Sequence, residues 1–220
     1  MYLSVKTRKL TVYAALTGGM LTFCIYAGAG YVGVILLTAF FVLGSAATSF
    51  KFQEKKEMSI HEENQGRRSA GQVFANAGLA GIIGLVSLIF PENRSLCLLM
   101  IAAVFSSATS DTLSSELGNL YGKKYYNILT FKRDAKGLNG VVSIEGTLIG
   151  IAGSVIIAAL YVLFIGWERE FYWIILAGTI GNFSDSILGA SLERRSLLKN
   201  NSVNFISTAA SVAVILILYF

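Results

Sequence analysis

Ser106-Ser-Ala-Thr-Ser-Asp-Thr-Leu-Ser-Ser-Glu-Leu-Gly118 closes an apolar run that begins near Leu96. The run is long enough to enter a bilayer, yet its end carries two carboxylates, Asp111 and Glu116, among many hydroxyls. Acids at such a position are costly unless a cation, a partner or water receives them. The stretch therefore points to a membrane fold and marks the place where its chemistry is expected.

The composition agrees. The chain has 220 residues, 54% hydrophobic and 14% charged, with a mean hydropathy of +0.62. A soluble chain carries about a quarter charged residues, so the ordinary soluble class is excluded. One Pro against 22 Gly fits helices that approach closely through small residues. Cys24 and Cys97 lie inside apolar runs without metal-like spacing and read as membrane-core residues. The first apolar run is followed almost at once by another, with no cleavable signal pattern, so it is expected to remain as a span. The net charge of +5 calls for no nucleic-acid partner, because inward loops of membrane proteins collect Lys and Arg.

A window of about 19 residues gives seven spans, at 9–26, 31–50, 72–90, 96–117, 141–165, 171–190 and 203–220. The expected fold class is all-α, a polytopic integral membrane protein forming one transmembrane domain over 1–220, with cytoplasmic loops at 51–71 and 118–140. Sixteen of the 18 Lys and Arg residues fall on one side: the amino terminus, the two loops and the segment 191–202. Only Arg94 and Arg169 fall on the other. That asymmetry predicts a cytoplasmic amino terminus and places 51–71 and 118–140 on the same face.

Three inward-running spans end alike. The second ends Ser45-Ala-Ala-Thr-Ser-Phe50, the fourth carries Ser106-Ser-Ala-Thr-Ser-Asp111, and the sixth ends Phe183-Ser-Asp-Ser-Ile-Leu-Gly189. Each would be the returning helix of a hairpin repeat, so the copies would run parallel, and sites often form where repeats meet. Two copies place an acid at the matching position, Asp111 and Asp185, a suitable pair for one divalent cation. Arg68, Gln72 and Asn76 share one helix face, as do Asn182 with Asp185, Asn204 with Thr208, and Asp111 with Ser115. All lie at inward ends, which predicts an inward-opening pocket and not a channel. Gly146-Thr-Leu-Ile-Gly150 reads as helix packing, and His61 as a solvated loop residue. Gly118-Asn-Leu-Tyr-Gly-Lys-Lys124 has the wrong spacing for a Walker motif.

Mg²⁺ is typically held by one or two carboxylates plus substrate phosphates. Arg67, Arg68, Lys132 and Arg133 supply the positive field that phosphate oxygens need. An inward site of this kind, beside lipid, suits phosphoryl transfer from a cytosolic nucleotide to an amphiphilic acceptor. The loop 118–140, with Gly122, Gly137 and Gly140, is a lid candidate.

These residues resemble the domain-of-unknown-function 92 family, which includes transmembrane protein 19 and a phytyl-phosphate kinase. The matching pieces are Gly66-Arg67, Gln72-Val-Phe-Ala-Asn76, Ser110-Asp-Thr-Leu-Ser-Ser-Glu-Leu-Gly118, Gly140-Val-Val-Ser143, Gly146-Thr147, Asp185-Ser-Ile-Leu-Gly-Ala190 and Val203-Asn204. They run in order over most of the chain. Val141, Glu193 and Ser202 depart from the family's pattern. The resemblance implies a kinase that uses a nucleoside triphosphate, CTP in one branch, to convert a prenyl monophosphate to its diphosphate. It implies that Asp111, Glu116 and Asp185 hold the metal and triphosphate. Arg67, Asn76 and Asn204 would bind phosphate or orient the acceptor. The hydroxyls of the matched pieces, Ser110, Thr112, Ser115, Ser143, Thr147 and Ser186, join the phosphate-binding set on the same ground. Two other classes fit the residues: a transporter using the acids for ion coupling, and a lipid-directed cytidylyltransferase.

Overall fold

The computed structural model describes residues 5–7, 9–57 and 67–220. The expectations placed on Arg8, His61 and Gly66 lie outside these residues. Among the described residues seven α-helices are delimited in order: α1 (Val12–Ser49), α2 (Phe52–Glu57), α3 (Ala70–Ile89), α4 (Arg94–Tyr121), α5 (Ile144–Ile165), α6 (Glu170–Leu188) and α7 (Asn200–Tyr219). A two-stranded antiparallel ribbon, β1 (Tyr126–Asn127) with β2 (Val141–Val142), lies between α4 and α5. Five of the helices, α1, α3, α4, α5 and α7, are long and apolar enough to cross a membrane. The protein is a multi-pass, all-α integral membrane protein.

The first helix is longer than one crossing needs. Its 38 residues would span about 57 Å if straight, nearly twice a bilayer core of about 30 Å. It is folded back at Gly30, where φ is 68° and ψ is −159°, a conformation that glycine adopts without strain. A side chain added at Gly33 would lie 2.7 Å from Ile25 Cγ2, although eight residues separate them. At the far end Lys9 Nζ donates to Ser49 Oγ. The two spans read at 9–26 and 31–50 are thus the two arms of α1, 12–29 and 31–49, and a single glycine does the work of a loop.

α4 is the axis of the bundle. Every residue from 101 to 110 is buried, and α1, α3, α5, α6 and α7 all pack on it. The sequence explains this position, because α4 carries small residues on every side. Gly118 meets Gly146 of α5 so closely that an added Cβ would lie 2.8 Å from the Gly146 Cα, and one at Gly150 would lie 3.0 Å from Ser110 O, so both glycines of the 146–150 stretch serve helix packing. Ser106 Oγ donates to Ile174 O of α6 at 3.0 Å. The contacts of α4 run in register: Phe40 stacks on Phe105 and Thr48 bonds Glu116, while Ile174 meets Ser106 and Asn182 meets Ser114. The second arm of α1, α4 and α6 are therefore parallel, as the hairpin reading of the three related endings expects. The outer surface is apolar, with Tyr13, Phe23, Leu163 and Ile217 each more than two-thirds exposed, as lipid contact requires.

Candidate functional site

Three helices begin at the end of the bundle where α4 and α6 finish, and two of the starts are fixed by a side-chain cap. Ser69 caps α3 with a reciprocal box: its Oγ accepts from Gln72 N at 3.3 Å, and Gln72 Oε1 accepts from Ser69 N at 2.7 Å. The residues just before are held as a strand edge, since Arg68 N donates to Lys9 O at 3.0 Å and Thr11 N donates to Arg68 O at 3.2 Å. Ser143 caps α5 by accepting from Gly146 N at 3.1 Å. α7 starts at Asn200 after Lys199, without a side-chain cap.

A cavity of about 310 Å³ lies among these starts and the ends of α4 and α6. Asp111 and Asp185 face it from the two parallel helices, close enough for their charges to repel each other. Glu193, just past α6, is the third carboxylate of that wall and interacts with both. Burial pushes the Glu193 carboxyl up from the ordinary range, against the bond it accepts from Asn139. Ser207 Oγ donates to Asp185 Oδ2 at 3.4 Å, and Asn204, with its amide set to satisfy its neighbours, donates to the same oxygen at 3.0 Å. Arg67 and Arg68 line the same cavity from the segment before α3, and Gln72 and Asn76 line it from the first turns of that helix. The Arg68 guanidinium also lies over the Phe40 ring, 5.0 Å from its centroid.

Most of the residues singled out in the sequence meet here. Asp111, Glu116, Asp185, Arg67, Arg68, Asn76, Thr112, Ser115, Ser143, Thr147, Ser186 and Asn204 all line the cavity. Three others do not. Ser110 is fully buried and faces α5, where an added Cβ at Gly150 would lie 2.8 Å from its Oγ; it is one hydroxyl past the turn that meets the cavity. Lys132 and Arg133 sit exposed on the connection after α4, outside the cavity lining. Glu116 lines the cavity but its carboxylate is taken: Lys55 Nζ lies 2.5 Å from Oε2, and Thr48 Oγ1 donates to Oε1 at 2.8 Å. Accordingly, among the described residues no three Asp, Glu, His or Cys side chains form a group able to hold a metal ion. The three-carboxylate ligand set differs from what the structure assembles, which is the Asp111–Asp185 pair.

The connection expected at 118–140 begins later, since α4 continues to Tyr121. It covers the cavity with residues 137–142. Gly140 takes φ 71° where the chain presses onto α6, leaving 2.5 Å between an added Cβ and Ser186 O. Arg194 straps the connection down: its Nε donates to Asn139 O at 2.5 Å and its Nη1 to Asp134 Oδ2 at 2.8 Å. Tyr125 Oη donates to Gly118 O at 3.1 Å; burial, then the charge of Glu145, pushes its phenol up. Lys55, Thr48, Tyr125, Asn139 and Asn200 were not foreseen as parts of the site. Thr48, Lys55 and Asn139 meet partners more than fifty residues away in sequence, and no short motif announces any of the five.

The comparisons with known proteins follow the same outline. The chain is 33% identical over 218 residues to Protein VTE6, chloroplastic, of Arabidopsis thaliana, covering 95% of this chain and 64% of that protein. It therefore spans less than two-thirds of that plant relative. It is 34% identical over 218 residues to an uncharacterized membrane protein of Methanocaldococcus jannaschii, covering 97% of this chain and 87% of the relative. An uncharacterized membrane protein of Synechocystis is 34% identical over 193 residues, covering 86% of this chain and 75% of its own length. No solved structure matches the chain. The model of the family described as integral membrane protein DUF92 matches residues 1–212, and the chain belongs to that family.

Proposed function

We propose that this protein is a Mg²⁺-dependent membrane kinase. It would transfer a phosphoryl group from a nucleoside triphosphate, CTP in first place, to a prenyl monophosphate such as phytyl or geranylgeranyl phosphate. One observation carries the reading: a single cavity is lined by both signs of charge, the Asp111–Asp185 pair from α4 and α6 and, as its positive pole, Arg67 and Arg68 from the segment before α3. The starts of α5 and α7 also open on the cavity, and helix amino termini favour phosphate oxygens.

The donor set fits Mg²⁺, which prefers one or two carboxylates and completes its shell with water and substrate phosphates. Asp111 and Asp185 would hold the ion, which when bound neutralises charge on the triphosphate oxygens. The acceptor phosphate is already an anion at neutral pH, so its attack on the γ-phosphorus needs no protein base. The bond to the β-phosphate oxygen breaks, and the nucleoside diphosphate leaves. What the chain supplies is position and charge. Arg67 and Arg68 offer planar donors to phosphate oxygens, Asn204 holds Asp185 in place, and the connection over the cavity limits water. The lining reaches no farther along the helices than Asn76, Asp111 and Asn182, so the site is one-sided. With the Lys- and Arg-rich segments at this end, we assign it to the cytoplasmic face.

Mass spectrometry of the products formed from protein, Mg²⁺, CTP and phytyl phosphate tests the reading. Phytyl diphosphate with CDP supports it. A cytidine-diphosphate lipid with pyrophosphate would instead establish nucleotidyl transfer. No product with any nucleotide and folded protein would remove the enzyme reading and return the acids to ion coupling.

A further inference from the structure

We propose that the seam between α3 and α7 is a lateral portal, gated by Phe74 and Phe205, through which the apolar tail of the acceptor remains in the bilayer while its phosphate enters the cavity. The proposal rests on the amphiphilic acceptor of the kinase reading and adds its route. On these two helices the faces change character within one residue. Gln72, Asn76, Asn200 and Asn204 turn into the cavity, while Phe74 and Phe205 stack across the seam on the other side. The ring planes are 1° apart with centroids at 6.1 Å, and Phe74 is 46% exposed. Polar cavity and apolar exterior are separated here by little more than that pair of rings.

Two neighbouring seams are closed by backbone. At α1–α3 an added Cβ on Gly84 would lie 2.5 Å from Cys24 O, and at α4–α5 one on Gly118 would lie 2.8 Å from Gly146 Cα. Opening them means moving whole helices. At α3–α7 the glycine, Gly71, receives a side chain instead, with Asn201 Nδ2 2.7 Å from an added Cβ. A seam closed by side chains opens by rotamer changes, which are fast and local. Phe74 is prepared for such a swing: its ring lies on Gly78, where an added Cβ would be 3.1 Å from three ring atoms. The cavity itself is lined largely by polar groups and gives a twenty-carbon chain little apolar contact. The tail is better left in the bilayer, and the α3–α7 seam borders both the cavity and the lipid-facing surface.

Photo-crosslinking decides the matter without relying on turnover. Phe205→p-benzoylphenylalanine and, as control on another lipid-facing surface, Leu148→p-benzoylphenylalanine are each reconstituted in vesicles with radiolabelled geranylgeranyl monophosphate. Labelling of the 205 variant at least five-fold above the 148 variant, competed by unlabelled geranylgeranyl monophosphate but not by geranylgeraniol, is the expected result. Equal labelling at both positions, or competition by the alcohol alone, overturns the portal. Labelling at 205 without diphosphate formation by the wild-type protein would keep the portal and remove the kinase reading. Diphosphate formation without labelling at 205 would do the reverse. Gly78→Ala, which pushes the Phe74 ring toward its partner, is expected to raise KM for geranylgeranyl monophosphate several-fold with kcat and the nucleotide KM unchanged; a loss in kcat alone would count against a gate.

Discussion

Lys55 Nζ lies 2.5 Å from Glu116 Oε2, with 6% and 13% of the two side chains left exposed. The same ammonium donates to Ala47 O at 2.7 Å, so one cation closes the carboxyl end of α1 and neutralises an acid of α4. Breaking a buried pair from one side leaves an uncompensated charge, at a cost of roughly 3–5 kcal/mol. Lys55→Met is therefore expected to lower the unfolding midpoint in detergent sharply, and Lys55→Met with Glu116→Met to recover most of it. If the double variant also keeps its turnover, Glu116 serves only as the partner of Lys55; a folded but inactive double variant would return Glu116 to the phosphate or metal shell.

Asp111 and Asp185 call for the opposite outcome. They repel each other in a confined space, so removing one charge relieves the fold while it removes a proposed cation ligand. Asp111→Asn and Asp185→Asn should each leave thermal stability equal or higher in the absence of Mg²⁺, abolish the stabilisation that added Mg²⁺ and nucleotide confer, and lower kcat/KM by at least ~100-fold, about 2.7 kcal/mol of transition-state stabilisation. Thermal shift with and without Mg²⁺ separates the two effects.

Arg68 tests the phosphate pole. Its guanidinium is braced over Phe40 and aimed into the cavity, a geometry that an ammonium cannot copy. Arg68→Lys should raise the nucleotide KM by roughly 10-fold, near 1.4 kcal/mol, with a smaller change in melting temperature. Lys132→Ala and Arg133→Ala, remote from the cavity, should leave KM within two-fold.

The strap gives a pH dependence with a defined sign. The Arg194 guanidinium holds the Asp134 carboxyl below the usual carboxylate range. A lowered folded value means that the stabilisation is complete above the unfolded carboxylate's pKa and is lost as pH falls through the folded one. A fluorophore on Ala135→Cys, in a background without Cys24 and Cys97, should keep its anisotropy from pH 7 to 5 and lose it only below about 4. In Asp134→Asn the anisotropy should be low at every pH.

The bundle was legible in the sequence because hydropathy and Lys/Arg distribution act segment by segment. The spans at 72–90 and 96–117 correspond to α3 and α4 within a few residues, and the parallel endings of the second, fourth and sixth spans correspond to parallel helices. The fold at Gly30 was not legible, because no window distinguishes a hairpin loop from one glycine with positive φ. In the site, the helix-face spacing of Gln72 and Asn76 carried over, since residues four apart share a helix face, whereas Arg68 lies before the Ser69 cap in a strand edge and reaches the cavity from there. What could not be read was direction within a cluster. Glu116 and Ser110 belong to the same rich stretch as Asp111, yet a rotation of about 100° per residue sends Ser110 into α5, while Lys55, far away in sequence, claims Glu116.

Ser110 makes the last of these distinctions measurable. Its Oγ has no partner and no room, packed against the place where Gly150 lacks a side chain. A buried hydroxyl without a bond costs free energy, so removing it should not destabilise the fold. Ser110→Ala is expected to be neutral or to stabilise by up to about 1 kcal/mol, with kcat/KM unchanged. Ser114, one turn on, donates to Asn182 Oδ1 at 3.1 Å and lines the cavity beside Asp111. Ser114→Ala strands the buried Asn182 amide and should cost about 1–2 kcal/mol while raising KM. Should Ser110→Ala prove the more damaging of the two for turnover, the fourth helix meets its substrate on a different face from the one described here.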